Sequence, residues 1–585
     1  MERQVFAAEL VTKIVEYFTC FATSILRDVC LKQRGPEAAY ADVLFLVTPA
    51  YGQPLSYLYH AHFEGFHLRV MLSLQGTLLQ QCSVVMVLLL LIFFLLLFYA
   101  HFRFRRQRME ALAAKISGPP AWPFIGNALQ FLGTIQDVLR TISRLLHRYQ
   151  TPVAFWLGPF FYVAVARPAD IETVLTSPLA LEKDRVYRFM EPWLGHGLFT
   201  APVSTWRVNR KLITPTFNPR ILERFVDVFS AQAQILVRKL AKEVGGGECD
   251  IFHYINLCSL DTICETAMGL TVRAQDNNNA DYVTATKRLS QIVAVRMFKA
   301  WLHPNWVFKL TPLGREHARQ LRYTEHMTST VNWVKPCVIV HLPRLRKIFT
   351  SCLLMTDRTI TRKVFIDLLL ELTGTTFNDE QLKAEATTMI AAGNDTTATM
   401  TSFVFLVLAI HQAEQEKVYE EMRSIFGDSK RVTTSRDLRQ MDYLELCIKE
   451  TMRMFPVAPL IARYLTGDIT VSDVVVPTGS SVVICIQHVH MDPEHFPEPN
   501  KFIPERFLPD NKRHPFSYLP FSAGPRNCIG LRYAMLLMKT IVSTVLRHYK
   551  VTTSLKMADI LLKVDILLKS VRGYPVALEP RRYNN

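Results

Sequence analysis

Phe521-Ser522-Ala523-Gly524-Pro525-Arg526-Asn527-Cys528-Ile529-Gly530 is a turn-rich stretch with one cysteine, and the apolar residues after it recur at helical spacing. Cys528 therefore stands just before a helix N-terminus, where backbone N–H groups and the helix dipole favour the thiolate. A thiolate binds iron and, beneath a porphyrin, pushes electron density toward O–O cleavage. With a haem over this loop each residue type acquires a use. Gly524 and Gly530 let the backbone approach the porphyrin face. Arg526 is a charge-assisted partner for a propionate. Phe521 packs near the sulfur and restricts solvent. A lone cysteine in a Gly-Pro turn is more often an inert core residue, but the whole pattern is far more specific than a lone cysteine.

Upstream segments carry further chemistry. In Glu450-Thr451-Met452-Arg453 the acid and base are three apart and share a helix face. Alone, such a pair is usually a surface ion pair worth little. A second arginine stands in Pro504-Glu505-Arg506-Phe507. Ala391-Ala392-Gly393-Asn394-Asp395-Thr396-Thr397 places a glycine and two threonines, all poor helix formers, midway along a predicted helix over 382–411. A kinked core helix is one reading. The other is a helix over an oxygen site, with a gap at Gly393, Thr396 hydrogen-bonding the oxygen and Asp395 relaying protons from water. Trp206 and Arg210, four apart, share a helix face. Arg463 follows Pro456 and Pro459.

The pattern Phe-x-x-Gly-x-Arg-x-Cys-x-Gly resembles the haem-binding signature of the cytochrome P-450 superfamily, and the other segments follow in that family's order from about residue 118 to the C-terminus. The resemblance implies a mainly α fold with a minor β-sheet region, and haem b with Cys528 as axial iron ligand. It implies that Trp206, Arg210, Arg463 and Arg526 hold the propionates. Glu450, Arg453 and Arg506 become a buried structural triad that locks the haem loop, and Gly393, Asp395 and Thr396 the catalytic segment. The implied reaction inserts one atom of O2 into a C–H bond of a lipophilic fatty acid, hormone or xenobiotic. Electrons come from an NADPH-cytochrome reductase, with cytochrome b5 as a further partner. An isomerase or dehydrase of the same fold, or an inactive haem-binding membrane protein, stays open as an alternative. Asp261 to Gly269, Leu212 to Phe217, and Asp492-Pro493 with Phe496-Pro497 are most similar to the family 4 branch and its insect members. Some members of that branch esterify haem through a glutamate where this chain has Ala392, so the haem is expected to be non-covalent. Asn394 likewise replaces a histidine frequent in the branch.

Composition supports a folded, membrane-bound enzyme. Hydrophobic residues make up 49% and charged residues 20% of 585, with no long charged, apolar-poor stretch. The net charge of +16 suits an acidic protein partner or an anionic membrane surface. No basic block interleaved with aromatics occurs, which disfavours nucleic acid. Eleven cysteines without a CxxC pair argue against a zinc site and fit reduced, cytosol-facing thiols. Residues 82–100 are almost continuously apolar, enough to span roughly 28 Å, and Arg103, Arg105, Arg106 and Arg108 follow. The positive-inside rule then puts the catalytic domain on the cytosolic side, in the endoplasmic reticulum membrane, single-pass. The expected organisation is an extension of unknown role over 1–70, with a gene-model artefact before Met71 as one reading, then an anchor and basic flank over 71–117 and a catalytic domain over 118–585. Gly118 to Asn127, with three prolines in five residues, prohibits helix and stiffens the connection. Amphipathic runs at 221–244 and 531–549 predict helices, and 153–165 and 480–486 predict strands. The apolar, basic stretch at 333–356 reads as an irregular insertion without chemistry.

Overall fold

The computed structural model describes residues 56–277, 280–331, 365 and 377–581. The insertion at 333–356 and the extension up to residue 55 lie outside the described residues. Two compact units divide the chain, Met1–Arg105 and Arg106–Asn585.

Helix α1 (Ser56–Ala113) is longer at both ends than the expected apolar span. Within it, Ser83–Phe104 has a mean hydropathy of 3.0 and none of it is buried. A core helix this apolar would bury its side chains; an anchor surrounded by lipid leaves them facing outward, as here.

The Pro-rich segment after α1 is docked rather than swinging free. It lies against strand β1 (Val153–Leu157), which pairs antiparallel with β2 (Phe160–Val165). A Cβ on Gly118 would sit 2.0 Å from the Ala154 carbonyl oxygen, so only glycine permits this approach. The buried Asn127 side chain donates to the Pro120 carbonyl at 2.9 Å and accepts the Trp156 N–H at 2.8 Å. The predicted strand over 153–165 is thus a hairpin broken at Gly158, whose φ is +58°.

Helices dominate the remainder. After β2 come α2 (Pro168–Thr176), the short strand β3 (Glu182–Lys183), α3 (Val203–Ile213), α4 (Pro219–Leu240) and α5 (Ile251–Ile263). The long α6 (Asp379–Ile410) starts with a capping box in which Asn378 and Gln381 exchange hydrogen bonds at 2.8 and 3.1 Å. There follow α7 (Asp442–Met454), β4 (Ile461–Tyr464) and β5 (Ser481–Ile484), and α8 (Leu531–His548). A C-terminal hairpin joins β6 (Leu562–Asp565) to β7 (Leu567–Ser570).

The main sheet runs β1-β2-β5-β4-β3, with only the β2–β5 pair parallel. The principal core forms where α6 packs on α5 and α8 packs on α4. From Thr397 to Ala409 every residue of α6 is buried, so this helix is a central strut. The expected mainly α fold with a minor sheet is observed.

Candidate active site

The loop before α8 is folded by its own backbone. The Cys528 N–H donates to the Phe521 carbonyl at 3.0 Å and the Asn527 N–H to the Gly524 carbonyl at 3.1 Å. Phe521 packs on the principal core. No side chain caps α8 at Gly530, so its first N–H groups are available to an anion. The Gly530 N–H and the charges of Arg210 and Lys183 lower the Cys528 thiol's pKa, while burial raises it and wins. Cys528 keeps accessible surface at the end of the loop. Ala392 is likewise exposed, in a stretch of α6 that is otherwise buried or half-buried from Ala384 to Ile410.

The glycines have reasons that the sequence reading did not contain. Gly524 has φ +71°, and a Cβ there would lie 2.1 Å from the Leu175 carbonyl oxygen at the end of α2. That crowding by itself dictates glycine. A Cβ on Gly393 would meet the Ile263 side chain of α5 at 2.7 Å. Helix α6 continues unbroken through it, so close helix–helix packing accounts for this residue without a gap. Gly530 alone faces the sulfur: its added Cβ would sit 3.9 Å from Cys528 Sγ.

Cations collect beside the thiol. Trp206 and Arg210 project from α3, as their spacing requires. The Arg526 guanidinium stacks 4.6 Å from the Trp206 ring centroid and donates to the Ala201 carbonyl at 2.7 Å. Arg210 turns to the loop itself, donating to the Asn527 side-chain and backbone oxygens at 2.8 and 3.1 Å. Arg463, on β4, is buried and reaches only the Ala462 carbonyl, at 3.3 Å. Opposite it in the β3–β4 ladder stands Lys183, a residue missed in the sequence. Its ammonium lies against the rings of Phe199 and Tyr187 at 3.4 and 4.7 Å.

Like charges directly opposite one another in a ladder are unfavourable. Burial and the neighbouring Arg463 and Arg526 hold Lys183 well below the usual lysine range. Burial and Arg463 likewise push Arg526 down to about 10, and its Nε and Nη1 are buried without partners. Among the described residues, Lys183, Arg210, Arg463 and Arg526 form no ion pair with a carboxylate. A cofactor with two carboxylates and a metal that takes a thiolate fits this donor set; haem has both.

Two networks brace the site. Glu450 accepts from Arg453 Nε and Nη2 at 2.7 and 2.9 Å, from the Ile503 N–H at 3.1 Å and from Arg506 Nε at 3.3 Å. Arg453 also donates to the carbonyls of His490 and Pro499, at 2.9 and 2.7 Å. Glu450 and Arg453 are both fully buried. The structure thus brings together the three residues named for the triad. On the other side, Glu385 of α6 accepts from the Leu198 N–H at 2.9 Å and the Asn209 amide at 2.7 Å. That ties α6 to α3, and burial raises the Glu385 carboxyl.

Asp395 and Thr396 are adjacent but separately engaged. Thr396 Oγ1 donates to the Ala392 carbonyl at 2.5 Å. Asp395 accepts from Lys569 of β7 through both oxygens, at 2.8 and 2.9 Å. Nearby, Ile566 at the tip of the β6–β7 hairpin packs into an apolar cluster with Met190, Leu194, Val293 and Ala391.

The cytochrome P450 family model matches residues 116–575. Cytochrome P450 4c3 of Drosophila melanogaster is 35% identical over 495 residues, covering 83% of this chain and 92% of that protein. Cytochrome P450 4V2 of Mus musculus is 37% identical over 472 residues, 79% and 89% of the respective chains. Cytochrome P450 4c21 of Blattella germanica is 36% identical over 488 residues, 82% and 96%.

Proposed function

Because this chain belongs to the cytochrome P450 superfamily, in its family 4, and is a haem-thiolate monooxygenase, we infer that it hydroxylates a C–H bond of a fatty acid, hormone or xenobiotic at the endoplasmic reticulum membrane. An NADPH-dependent flavin reductase supplies the electrons, with cytochrome b5 as an auxiliary donor. The balanced reaction takes a substrate C–H, O2, two electrons and two protons to a C–OH and water. The observation that carries this reading is the accessible Cys528 thiol beside cations that lack carboxylate partners.

When bound, haem supplies oxygen activation and the oxidant for C–H cleavage. The protein's residues do the rest. Cys528 would furnish the thiolate that holds the iron, favoured by the Gly530 N–H and by the charges of Arg210 and Lys183. Lys183, Arg463 and Arg526 would neutralise the propionates, with Trp206 supporting the Arg526 guanidinium. The Thr396 hydroxyl holds a proton at Oγ1, and Asp395 accepts protons from water for delivery through it. The apolar cluster at Ile566 and Ala391 keeps water from this part of α6.

The test is the absorption spectrum of the reduced, carbon monoxide-treated protein. A strongly red-shifted Soret band is expected, and Cys528→Ser should abolish it. A band typical of histidine-ligated haem in the unaltered protein would sink the assignment. Acid-acetone should then extract the haem, because Ala392 has no carboxylate with which to esterify it.

A further inference from the structure

Lys569 lies far from Asp395 in sequence, yet its ammonium bridges both Asp395 oxygens at 2.8 and 2.9 Å. The lysine side chain is 6% exposed and the aspartate 21%. Lys569 also lies 5.0 Å from the Phe252 ring centroid on α5. Little water competes for this ammonium, so its grip on the carboxylate is strong and directional. The bond engages both oxygens of Asp395, leaving each a second lone pair for water, and its neighbour Thr396 is itself turned to a backbone carbonyl. A carboxylate on a flexible arm samples several rotamers; one tied at both oxygens keeps one.

The hairpin that carries Lys569 is itself constrained. Ile566 at its tip has φ +65°, a conformation that a β-branched residue rarely adopts and that surrounding structure must enforce. Next to the tip, buried Asp565 accepts from the Gln291 amide at 3.4 Å and pairs with Lys563 at 2.6 Å. Lys569 is thus presented from a fixed support.

We propose that Lys569 is a positioning residue for proton delivery, holding the Asp395 carboxylate at the place from which it serves the oxygen site. The inference rests on the reading that Asp395 belongs to the proton path. Lys569 does not touch substrate or cofactor; it acts through Asp395.

The test uses the full chain in membranes, co-expressed with a flavin reductase, and needs no identified substrate. Without substrate, O2 takes two electrons and two protons to leave as hydrogen peroxide, or four of each to leave as water. Lys569→Met, Lys569→Arg and Asp395→Asn are compared for reductant oxidation and its solvent deuterium isotope effect. Two readouts independent of turnover are the carbon monoxide-bound Soret band and amide exchange across residues 562–570. Lys569→Met should keep the red-shifted band, oxidise reductant about ten-fold more slowly with a larger isotope effect, and exchange faster across the hairpin. Lys569→Arg should stay within about two-fold of the unaltered protein, because its guanidinium also spans two carboxylate oxygens. Unchanged rate and isotope effect in Lys569→Met, with a slowed Asp395→Asn, would overturn the role of Lys569 alone. If Asp395→Asn is also unaffected, the proton-path reading falls with it. Loss of the Soret band in Lys569→Met, or failure of Lys569→Arg to rescue turnover, would reduce the pair to a structural brace and overturn the proposal.

Discussion

Replacing Arg453 by methionine keeps the unbranched stem of the side chain and removes its charge from the centre of the triad. The variant loses both bonds to Glu450 and those to the carbonyls of His490 and Pro499. Glu450 is left fully buried with the Ile503 N–H and Arg506, the latter at 3.3 Å. Removing one partner of a buried ion pair costs about 3–5 kcal/mol, because the remaining charge is uncompensated. That is between roughly two and three and a half powers of ten in the folded-to-unfolded ratio, against a total stability of about 5–15 kcal/mol for a typical domain. Arg453→Met should therefore accumulate poorly and lose its haem at a much lower urea concentration, followed by the decay of the carbon monoxide-bound Soret band. The double variant Glu450→Met/Arg453→Met should cost less than the sum of the two single changes, since the fully buried charges leave together and only the partly exposed Arg506 loses its carboxylate. A single-variant loss below about 1 kcal/mol, or strict additivity in the double, would refute the reasoning.

Three other outcomes follow from the geometry. Arg526→Leu removes a buried guanidinium with two unpartnered nitrogens, so the haem-free protein should melt higher while haem dissociates faster; equal shifts of both forms would contradict this. Gly524→Ala adds a Cβ 2.1 Å from the Leu175 carbonyl oxygen at φ +71°, and at least about 1–3 kcal/mol should be lost from the thermal midpoint of haem release; an unchanged midpoint would show that the loop yields freely. Burial, aided by Arg453, pushes His490 down to about 3, and its Nε2 accepts the Leu519 N–H at 2.7 Å. The folded pKa lies below the unfolded one, so this contribution is full above pH 6.5 and is lost toward pH 3. The slope is about 1.4 kcal/mol per pH unit; His490→Gln should flatten acid-induced haem loss between pH 6.5 and 4.5.

What the sequence discloses is what depends on near neighbours. Cys528, the flanking loop and the face shared by Glu450 and Arg453 are visible because their partners lie within a few positions. Predicted helices over 221–244, 382–411 and 531–549 correspond to α4, α6 and α8 within a few residues, since amphipathic period and burial agree there. Lys183 was invisible: in Glu-Lys-Asp-Arg it reads as solvated surface charge, and only the strand register sets it against Arg463. Lys569 escaped for the same reason, its partner being on a helix far away in the chain. The crowding of Gly393 and Gly524 comes from Ile263 and Leu175, which no local pattern announces.

The cations gathered around Cys528 bear on the protein's fate in a cell. A freshly made chain holds Lys183, Arg463 and Arg526 close together in its interior, and their repulsion opposes closure of the fold. A dianionic porphyrin converts that repulsion into attraction, and only for the folded form. By mass action, a hundredfold excess over its dissociation constant stabilises the protein by about 2.7 kcal/mol. If these cations seat the haem as proposed, enzyme abundance would follow haem supply at the level of the polypeptide, because more chains would stay open when the porphyrin is scarce. The electrostatics that seat the cofactor thus also act as quality control, sparing loaded molecules and exposing empty ones.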